Sequence, residues 1–236
     1  MNSVAPDSPP APAAVRGASR PAAVALDHLV LPLARVRSLT AWALVAAAIL
    51  VVAGVATTPH DDGTTAGLLD QMALHPGRTQ VSDLLLHLGW TGAALACIGL
   101  ALLGSVRRGP LLLAGCVLAA IGLTTLPGLF ATDAYDMAIA QELPRALGIA
   151  VSEEAASKPI AAFLFITASL GATLGPALLL AALWRQGTLG VAPWLLAIAG
   201  PLLAVAGGRP VTAVAGCALL GLGYVLAAWE LVRERG

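Results

Sequence analysis

The chain has 236 residues, of which 58% are hydrophobic and only 11% are charged, and its formal net charge is zero. Soluble domains carry about 25% charged residues, and a soluble fold of this size leaves roughly a quarter of its surface in water. The composition therefore excludes a soluble enzyme and predicts an integral membrane protein, whose first partner is the lipid bilayer. A chain without net positive charge also lacks the basic surface that binds the phosphates of nucleic acids, so we expect no nucleic-acid partner.

Residues 1–26 are rich in proline and alanine, which predicts a disordered tail ahead of a membrane bundle formed by residues 27–236. A helix needs about 20 mainly apolar residues to cross a bilayer. Six segments meet this requirement, and the predicted fold is an all-α, polytopic bundle of about six transmembrane helices. Their approximate bounds are 38–58, 82–104, 109–131, 159–184, 190–207 and 211–230.

The basic residues flank these segments unevenly. With the N-terminus in the cytoplasm, nine of them lie inside and four lie outside, as the positive-inside rule requires. The inside set is Arg16, Arg20, Arg35, Arg37, Arg107, Arg108, Arg185, Arg233 and Arg235, and the outside set is Arg78, Arg145, Lys158 and Arg209. We therefore expect a multi-pass protein of the bacterial cytoplasmic membrane with both termini cytoplasmic.

The two long connections, 59–81 and 132–158, are then both extracytoplasmic and acidic. After Thr64, residues 66–74 have the spacing of a short amphipathic helix that ends before Pro76. Thr132 is expected to cap a second short helix that Pro144 ends. These two segments predict a partly helical extracytoplasmic cap.

Two glycine–proline features bear on the membrane helices. Pro127-Gly128 is expected to loosen the outer end of the third helix, and Gly175-Pro176 to bend or divide the fourth. Gly171 and Gly175 also form a small-residue motif of the kind at which helices pack closely.

The first candidate site is formed by Asp83, His87 and Thr91, which share one face at the outer end of the second helix. A carboxylate one turn from an imidazole can fix the tautomer of the ring and raise its basicity. Asp83 and His87 are therefore the candidate catalytic residues, and Thr91 is a candidate ligand contact. The alternative is that both residues have only a structural role. Asp83 would then lie among the lipid headgroups, and His87 would form a hydrogen bond with a loop carbonyl.

The second candidate site lies in the outer loop 132–158, which offers oxygen ligands and one aromatic side chain. Its candidate ligand-binding residues are Asp133, Tyr135, Asp136 and Glu142. Two carboxylates three residues apart on a helix could share a divalent cation, and aspartate at a helix start also complements the helix dipole.

We predict no cofactor, with a divalent metal as the alternative. A site that combines His75, His87, Asp83 and Asp133 has suitable chemistry for zinc. No histidine pair in the sequence has the spacing of a known zinc-binding helix motif to support it.

The stretch His75-Pro-Gly-Arg-Thr-Gln80, followed by Leu84-Leu-Leu-His87-Leu-Gly89, resembles a recurrent pattern in uncharacterised actinobacterial integral membrane proteins. The Asp133-Ala-Tyr-Asp136 segment is similar to theirs as well. The resemblance covers the outer loops and the second helix. It implies a multi-pass topology and supplies no activity and no catalytic residues.

These observations favour a non-enzymatic membrane protein that binds a small ligand, a lipid or a protein partner through its acidic extracytoplasmic loops. One alternative is a membrane-embedded, metal-dependent hydrolase or transferase at the outer leaflet, with Asp83 and His87 as the base pair and Asp133 and Asp136 as cation ligands. A small transporter is the third hypothesis, because residues 108–116 and 209–217 are weakly similar and inverted repeats are common in transporters.

Overall fold

The computed structural model describes residues 32–104, 109–207 and 210–233, and within these ranges every regular element is an α-helix. The predicted tail at residues 1–26 lies outside the described residues. In chain order the helices are α1 Leu33–Thr57, α2 Thr65–Leu74, α3 Pro76–Gly104, α4 Pro110–Glu142, α5 Arg145–Ala156, α6 Pro159–Arg185, α7 Val191–Gly207 and α8 Pro210–Arg233.

Five of these helices, α1, α3, α4, α6 and α8, are long and apolar enough to cross a membrane. The sixth apolar helix, α7, is shorter, with its apolar part at Val191–Ala206. The chain is therefore an all-helical, multi-pass membrane protein, and this part of the sequence prediction is confirmed.

The six long helices pack side by side in the order α1, α3, α4, α6, α7, α8 and back to α1. The α7 helix runs antiparallel along α8, since Gly223 lies against Pro193 while Gly216 lies against Gly200 and Ala204. Leucines fill the space between the helices, and the largest fully buried ones are Leu44, Leu100, Leu123, Leu179, Leu180, Leu183 and Leu231.

Glycine allows the closest approach in the bundle, between α4 and α6. A Cβ atom added to Gly171 would lie 2.6 Å from Gly122 Cα, and one added to Gly175 would overlap the backbone of Ala119. Small residues let helix backbones approach where lipid supplies no hydrophobic force to drive them together. The Gly171/Gly175 motif therefore serves packing within one chain.

The bundle is taller on the side of α3 and α4. The hydroxyls of Thr58 and Ser82 lie 2.6 Å apart, which places the end of α1 level with Ser82. From Asp133, at the level of Asp83, α4 continues to Glu142, about 14 Å further at 1.5 Å per residue.

The short helices α2 and α5 pack on these projecting turns. In α5, Gly148 lies against Ile139 and Ser152 bonds Asp136, so α5 runs antiparallel to the end of α4. We call α2, α5 and the projecting turns 76–82 of α3 and 134–142 of α4 the cap.

The short helix predicted at residues 66–74 is present as α2, Thr65–Leu74. Thr64 occupies the N-cap, its hydroxyl accepts a hydrogen bond from the Gly67 amide at 3.0 Å, and Leu69 and Met72 are buried. Pro76, expected only to end this helix, also begins the next one, because proline lacks an N–H and suits a first helical turn. Helix α3 therefore begins at residue 76 rather than at residue 82.

The prediction for residues 132–143 was wrong. No new helix begins at Thr132, because α4 continues through Pro127 to Glu142 and the Thr132 hydroxyl bonds the Leu129 carbonyl of the same helix. A proline removes a single backbone hydrogen bond, and the packed, buried Pro127 does not end α4. The predicted loop 132–158 thus consists mainly of the end of α4 and the unpredicted helix α5.

Glycine–proline steps do not divide the later helices either. Helix α6 passes through Gly175-Pro176 as one helix from Pro159 to Arg185, and α7 passes through Pro201.

Candidate functional site

Two candidate residues on different helices, which the sequence analysis combined only in its metal-site alternatives, meet where α3 and α4 enter the cap. The side chains of Asp83 and Asp133 are both half-buried and lie close enough for their carboxyl groups to interact. The pair links α3 to α4 at the level of the end of α1.

Asp136 extends this polar region toward α5. It lies close enough to Asp133 for their charges to interact, and its Oδ1 accepts a hydrogen bond from the buried Ser152 hydroxyl at 2.9 Å. Ser152 was absent from the sequence candidates. The amphipathic pattern of residues 145–156 was the signal that could have located it, because that pattern places Ser152 on the inner face of a helix.

His87 does not join the carboxyl pair through any contact that the structure shows. Its Nδ1 lies 3.2 Å from the Pro127 carbonyl on α4, and its side chain is exposed. A carbonyl only accepts, so Nδ1 carries the hydrogen in this contact and Nε2 of the neutral ring is an acceptor. His87 therefore bonds a backbone carbonyl, as its purely structural interpretation predicted, but this carbonyl belongs to a helix and not to a loop.

The remaining candidates are dispersed. The Thr91 hydroxyl donates to the His87 carbonyl of its own helix at 2.8 Å. Tyr135 is 73% exposed on the outer side of α4, and Glu142 is exposed at its last residue. His75 is exposed between α2 and α3, where its amide bonds Gln71. The structure therefore brings together Asp83, Asp133 and Asp136 from the predicted set.

The described basic side chains near the cap have other partners. Arg78 donates to the Thr57 carbonyl at 3.2 Å, and Lys158 forms an ion pair with Glu154 one turn before it. Arg145 binds Asp70 through two hydrogen bonds of 2.9 and 2.8 Å, which tie α5 to α2. Arg78, Arg145 and Lys158 therefore do not neutralise the carboxylates of Asp133 and Asp136.

The Asp70–Arg145 ion pair is a solvent-exposed tie, since the side chains of Arg145 and Asp70 are 64% and 43% exposed. The hydrogen bond from Arg145 lowers the pKa of Asp70 below its usual value, with a smaller opposing effect from burial. The contribution of the ion pair to stability is therefore fully present at pH values above the ordinary aspartate pKa of about 3.9. It is lost as the pH falls through the lower folded-state value.

We expect Arg145→Gln to loosen α5 while changing the Tm of the whole protein by at most a few degrees, because solvent screens an exposed ion pair. Amide hydrogen exchange should accelerate across residues 145–156 at neutral pH. The wild type should approach the variant once the pH falls below the lowered folded-state pKa of Asp70, where this carboxylate becomes protonated. Lys158→Gln is the control, because the Lys158–Glu154 pair connects no two helices; equal acceleration in both variants would contradict the assigned role.

The described residues offer no ready metal centre. Within residues 32–104, 109–207 and 210–233, no three histidine, cysteine, aspartate or glutamate side chains form a group that could hold a metal ion. The four residues of the predicted zinc site form no such group: the His87 ring lies against the Pro127 carbonyl, and His75 is exposed between α2 and α3.

A separate open groove of about 550 Å³ lies at the same end of the bundle, between α1, α7 and α8. His60, Asp61 and Asp62 line it on the side of the α1–α2 connection. The Asp62 carboxylate accepts hydrogen bonds from the Thr64 hydroxyl and amide, and these bonds lower the pKa of Asp62. Its carboxylate thus stabilises the start of α2.

Comparison with known proteins adds no relative: the chain matches no protein-family model, no curated protein and no solved structure.

Proposed function

We propose that this chain is a non-enzymatic binding protein of the bacterial cytoplasmic membrane, which receives a cationic group of a small ligand, a lipid or a protein partner beneath its cap. The observation that carries the proposal is the carboxyl set Asp83, Asp133 and Asp136, supplied by two helices. Because the neighbouring arginine and lysine side chains are bound elsewhere, this region attracts positive charge.

The proposal includes a topology of six membrane helices, with α7 as the sixth. Support comes from the antiparallel packing of α7 along α8, which is itself long enough to span. The described residues Arg35, Arg37, Arg185 and Arg233 lie at the bundle end opposite the cap. By the positive-inside rule, that end is cytoplasmic and the cap is extracytoplasmic. We place the chain with the actinobacterial membrane proteins that residues 75–89 and 133–136 resemble.

Titration of the detergent-purified protein with spermidine or Mg²⁺, followed by isothermal calorimetry, tests the proposal. We expect the wild type to bind at least one of these cations and Asp133→Asn to bind it about tenfold more weakly, since a tenfold change corresponds to about 1.4 kcal/mol. Glu142→Gln removes an exposed carboxylate of the same helix and should bind as the wild type does. Equal affinities for the wild type and Asp133→Asn would contradict the proposal.

The second candidate function is a hydrolase or transferase at the outer leaflet. One observation favours it: the Pro127 carbonyl fixes Nδ1 of His87 as the donor, which leaves Nε2 as a base on the exposed side of α3. Elemental analysis of the purified wild type beside His87→Ala tests its metal-dependent form. A stoichiometric metal that is lost in the variant would favour this function over the first.

The transporter hypothesis has less support. It requires a polar cavity near the middle of the membrane, whereas the middle of the described bundle is filled by buried leucine and alanine side chains.

A further inference from the structure

A second open cavity, of about 520 Å³, lies at the end of the bundle opposite the cap. It is formed by residues 187–190, in the turn between α6 and α7, and by Trp229, Glu230 and Arg233 near the end of α8. We call it the turn cavity. Its volume is within the range of pockets that hold small molecules, and it is separate from the carboxyl set beneath the cap.

Tryptophan side chains place the turn cavity at the level of lipid headgroups. The rings of Trp184 and Trp194 stack with their centroids 5.0 Å apart, just before and just after the turn. Trp229 lines the cavity itself and is 55% exposed. Tryptophan is enriched where a membrane meets water, and three of the five tryptophans of the chain lie here. Lipid headgroups are therefore the molecules that surround the mouth of the cavity.

The backbone of the turn offers little to a ligand. Gly187 has a φ of 74°, which allows the tight reversal, and the amides of residues 186–189 all donate to carbonyls of α6. The Gly190 amide donates to Oε2 of Glu230 at 2.6 Å. A ligand in the cavity must therefore be recognised mainly by side chains.

The cavity contains one acidic and one basic side chain that are not paired with each other. Glu230 and Arg233 are three residues apart on α8, which places their Cβ atoms about 5–6 Å apart on one face. The Glu230 carboxylate lies on the Gly190 amide, and the Arg233 guanidinium lies over the Trp229 ring, with Cζ 4.9 Å from the centroid. No ion pair between described residues joins Glu230 to Arg233.

Both charged groups keep capacity for further hydrogen bonds. A carboxylate has several acceptor sites, of which the Gly190 amide occupies one, and a guanidinium has several N–H donors in its plane. Stacking on an indole ring uses the face of the guanidinium and leaves its edge for an anion. Because the two charges of the lining sum to zero, neither a lone cation nor a lone anion matches the cavity. The matching ligand has one positive and one negative group close together.

We propose that the turn cavity binds the phosphoethanolamine headgroup of a membrane lipid, with the phosphate on Arg233 and the ammonium on Glu230. An ethylene bridge holds these two groups of the ligand close together, as α8 holds the two side chains. The guanidinium suits a phosphate because it can donate two parallel hydrogen bonds, and the ammonium supplies N–H donors to the carboxylate.

This site is independent of the cation binding proposed beneath the cap, because it lies at the other end of the bundle. It is also independent of the orientation of the chain, because lipid headgroups line both faces of a bilayer.

Native mass spectrometry of the delipidated, detergent-purified full chain tests the proposal, because it counts bound lipids directly. Phosphatidylethanolamine, phosphatidylcholine and phosphatidylglycerol with the same acyl chains are titrated separately. We expect the wild type to bind the ethanolamine lipid about tenfold more tightly than either of the others. Choline has no N–H donor for Glu230, and glycerol has no positive charge. Equal affinities for the three lipids would overturn the proposal.

Two variants separate the roles of the charged side chains. Arg233→Gln should bind all three lipids about tenfold more weakly, because each contains a phosphate. Glu230→Gln keeps an acceptor for the Gly190 amide but loses the charge that faces the ammonium. It should lose the preference for the ethanolamine lipid and bind phosphatidylglycerol more tightly than the wild type does.

Arg185→Gln is the matched control, because it removes an exposed arginine at the same end of the bundle but outside the cavity lining. It should bind the three lipids as the wild type does. Each variant is first checked for a monodisperse peak in gel filtration, and two cavity variants are included so that misfolding of one leaves the other to decide.

Two further results would contradict the proposal. A folded Arg233→Gln or Glu230→Gln that keeps the wild-type affinity for every lipid would remove the assigned contacts. Displacement of the bound lipid by an equal concentration of soluble phosphoethanolamine would assign the cavity to a soluble ligand and not to a lipid.

Discussion

Gly122→Ala is expected to lower the Tm of the detergent-solubilised protein by about 6–12 °C, which corresponds to about 3 kcal/mol for a chain of this size. A methyl group at Gly122 would overlap the backbone of Gly171 and Ala172 on α6. Backbone atoms cannot turn aside as a flexible side chain can, so α4 and α6 would have to separate along their contact. The added methyl group would thus disturb an extensive helix interface.

Gly128→Ala is the control for this prediction, because it makes the same change six residues along the same helix. A Cβ at Gly128 would meet nothing within 4 Å. Alanine is favoured over glycine within a helix by about 1 kcal/mol, so this variant should be as stable as the wild type or slightly more so. A Tm for Gly122→Ala that equals that of Gly128→Ala would show that α4 and α6 are not in contact at Gly122.

Leu100→Ala is expected to lower the free energy of unfolding by about 3 kcal/mol, within the range for buried leucines. Leu100 is 1% exposed on α3 and packs in the buried cluster at the centre of the bundle. Its truncation would leave a cavity that rigid neighbouring helices cannot fill. Chemical or thermal unfolding in the same detergent measures the effect.

Leu95→Ala tests whether the loss comes from burial rather than from the leucine side chain itself. Leu95 lies on the same helix but is 60% exposed, on the surface that faces lipid. Lipid is as apolar as leucine, so this truncation should change stability little. Similar losses in the two variants would mean that the two faces of α3 are assigned wrongly.

Local signals in the sequence predicted individual helices well and their ends less well. The spacing of residues 66–74 located α2 correctly, and the hydroxyl of Thr64 caps it, because N-capping depends on residues within one turn. Pro127 and Thr132 gave a misleading signal, because their preference for a helix break is weaker than the packing of a continuous α4. Residues 145–156 form a helix that the sequence analysis missed.

The candidate site shows the same division between local and distant information. Asp83, His87 and Thr91 do share one face of α3, as their spacing predicted. Their partners came from elsewhere in the chain: Asp83 meets Asp133, and His87 meets Pro127. Spacing along one helix contains no information about the rotation of a second helix against it. The sequence analysis therefore combined Asp83 with Asp133 only in its metal-site alternatives, on ligand chemistry, and it did not predict the contact between His87 and Pro127.

The sequence by itself therefore determined that the chain is an all-helical membrane protein, because partition into a bilayer depends on the summed polarity of each segment and not on its neighbours. The tertiary structure alone decided which groups meet. Glycine at positions 122 and 171 sets the distance between α4 and α6, and the register of α3 against α4 brings two aspartates together. Such contacts depend on the relative rotation and height of whole helices, which no local pattern specifies.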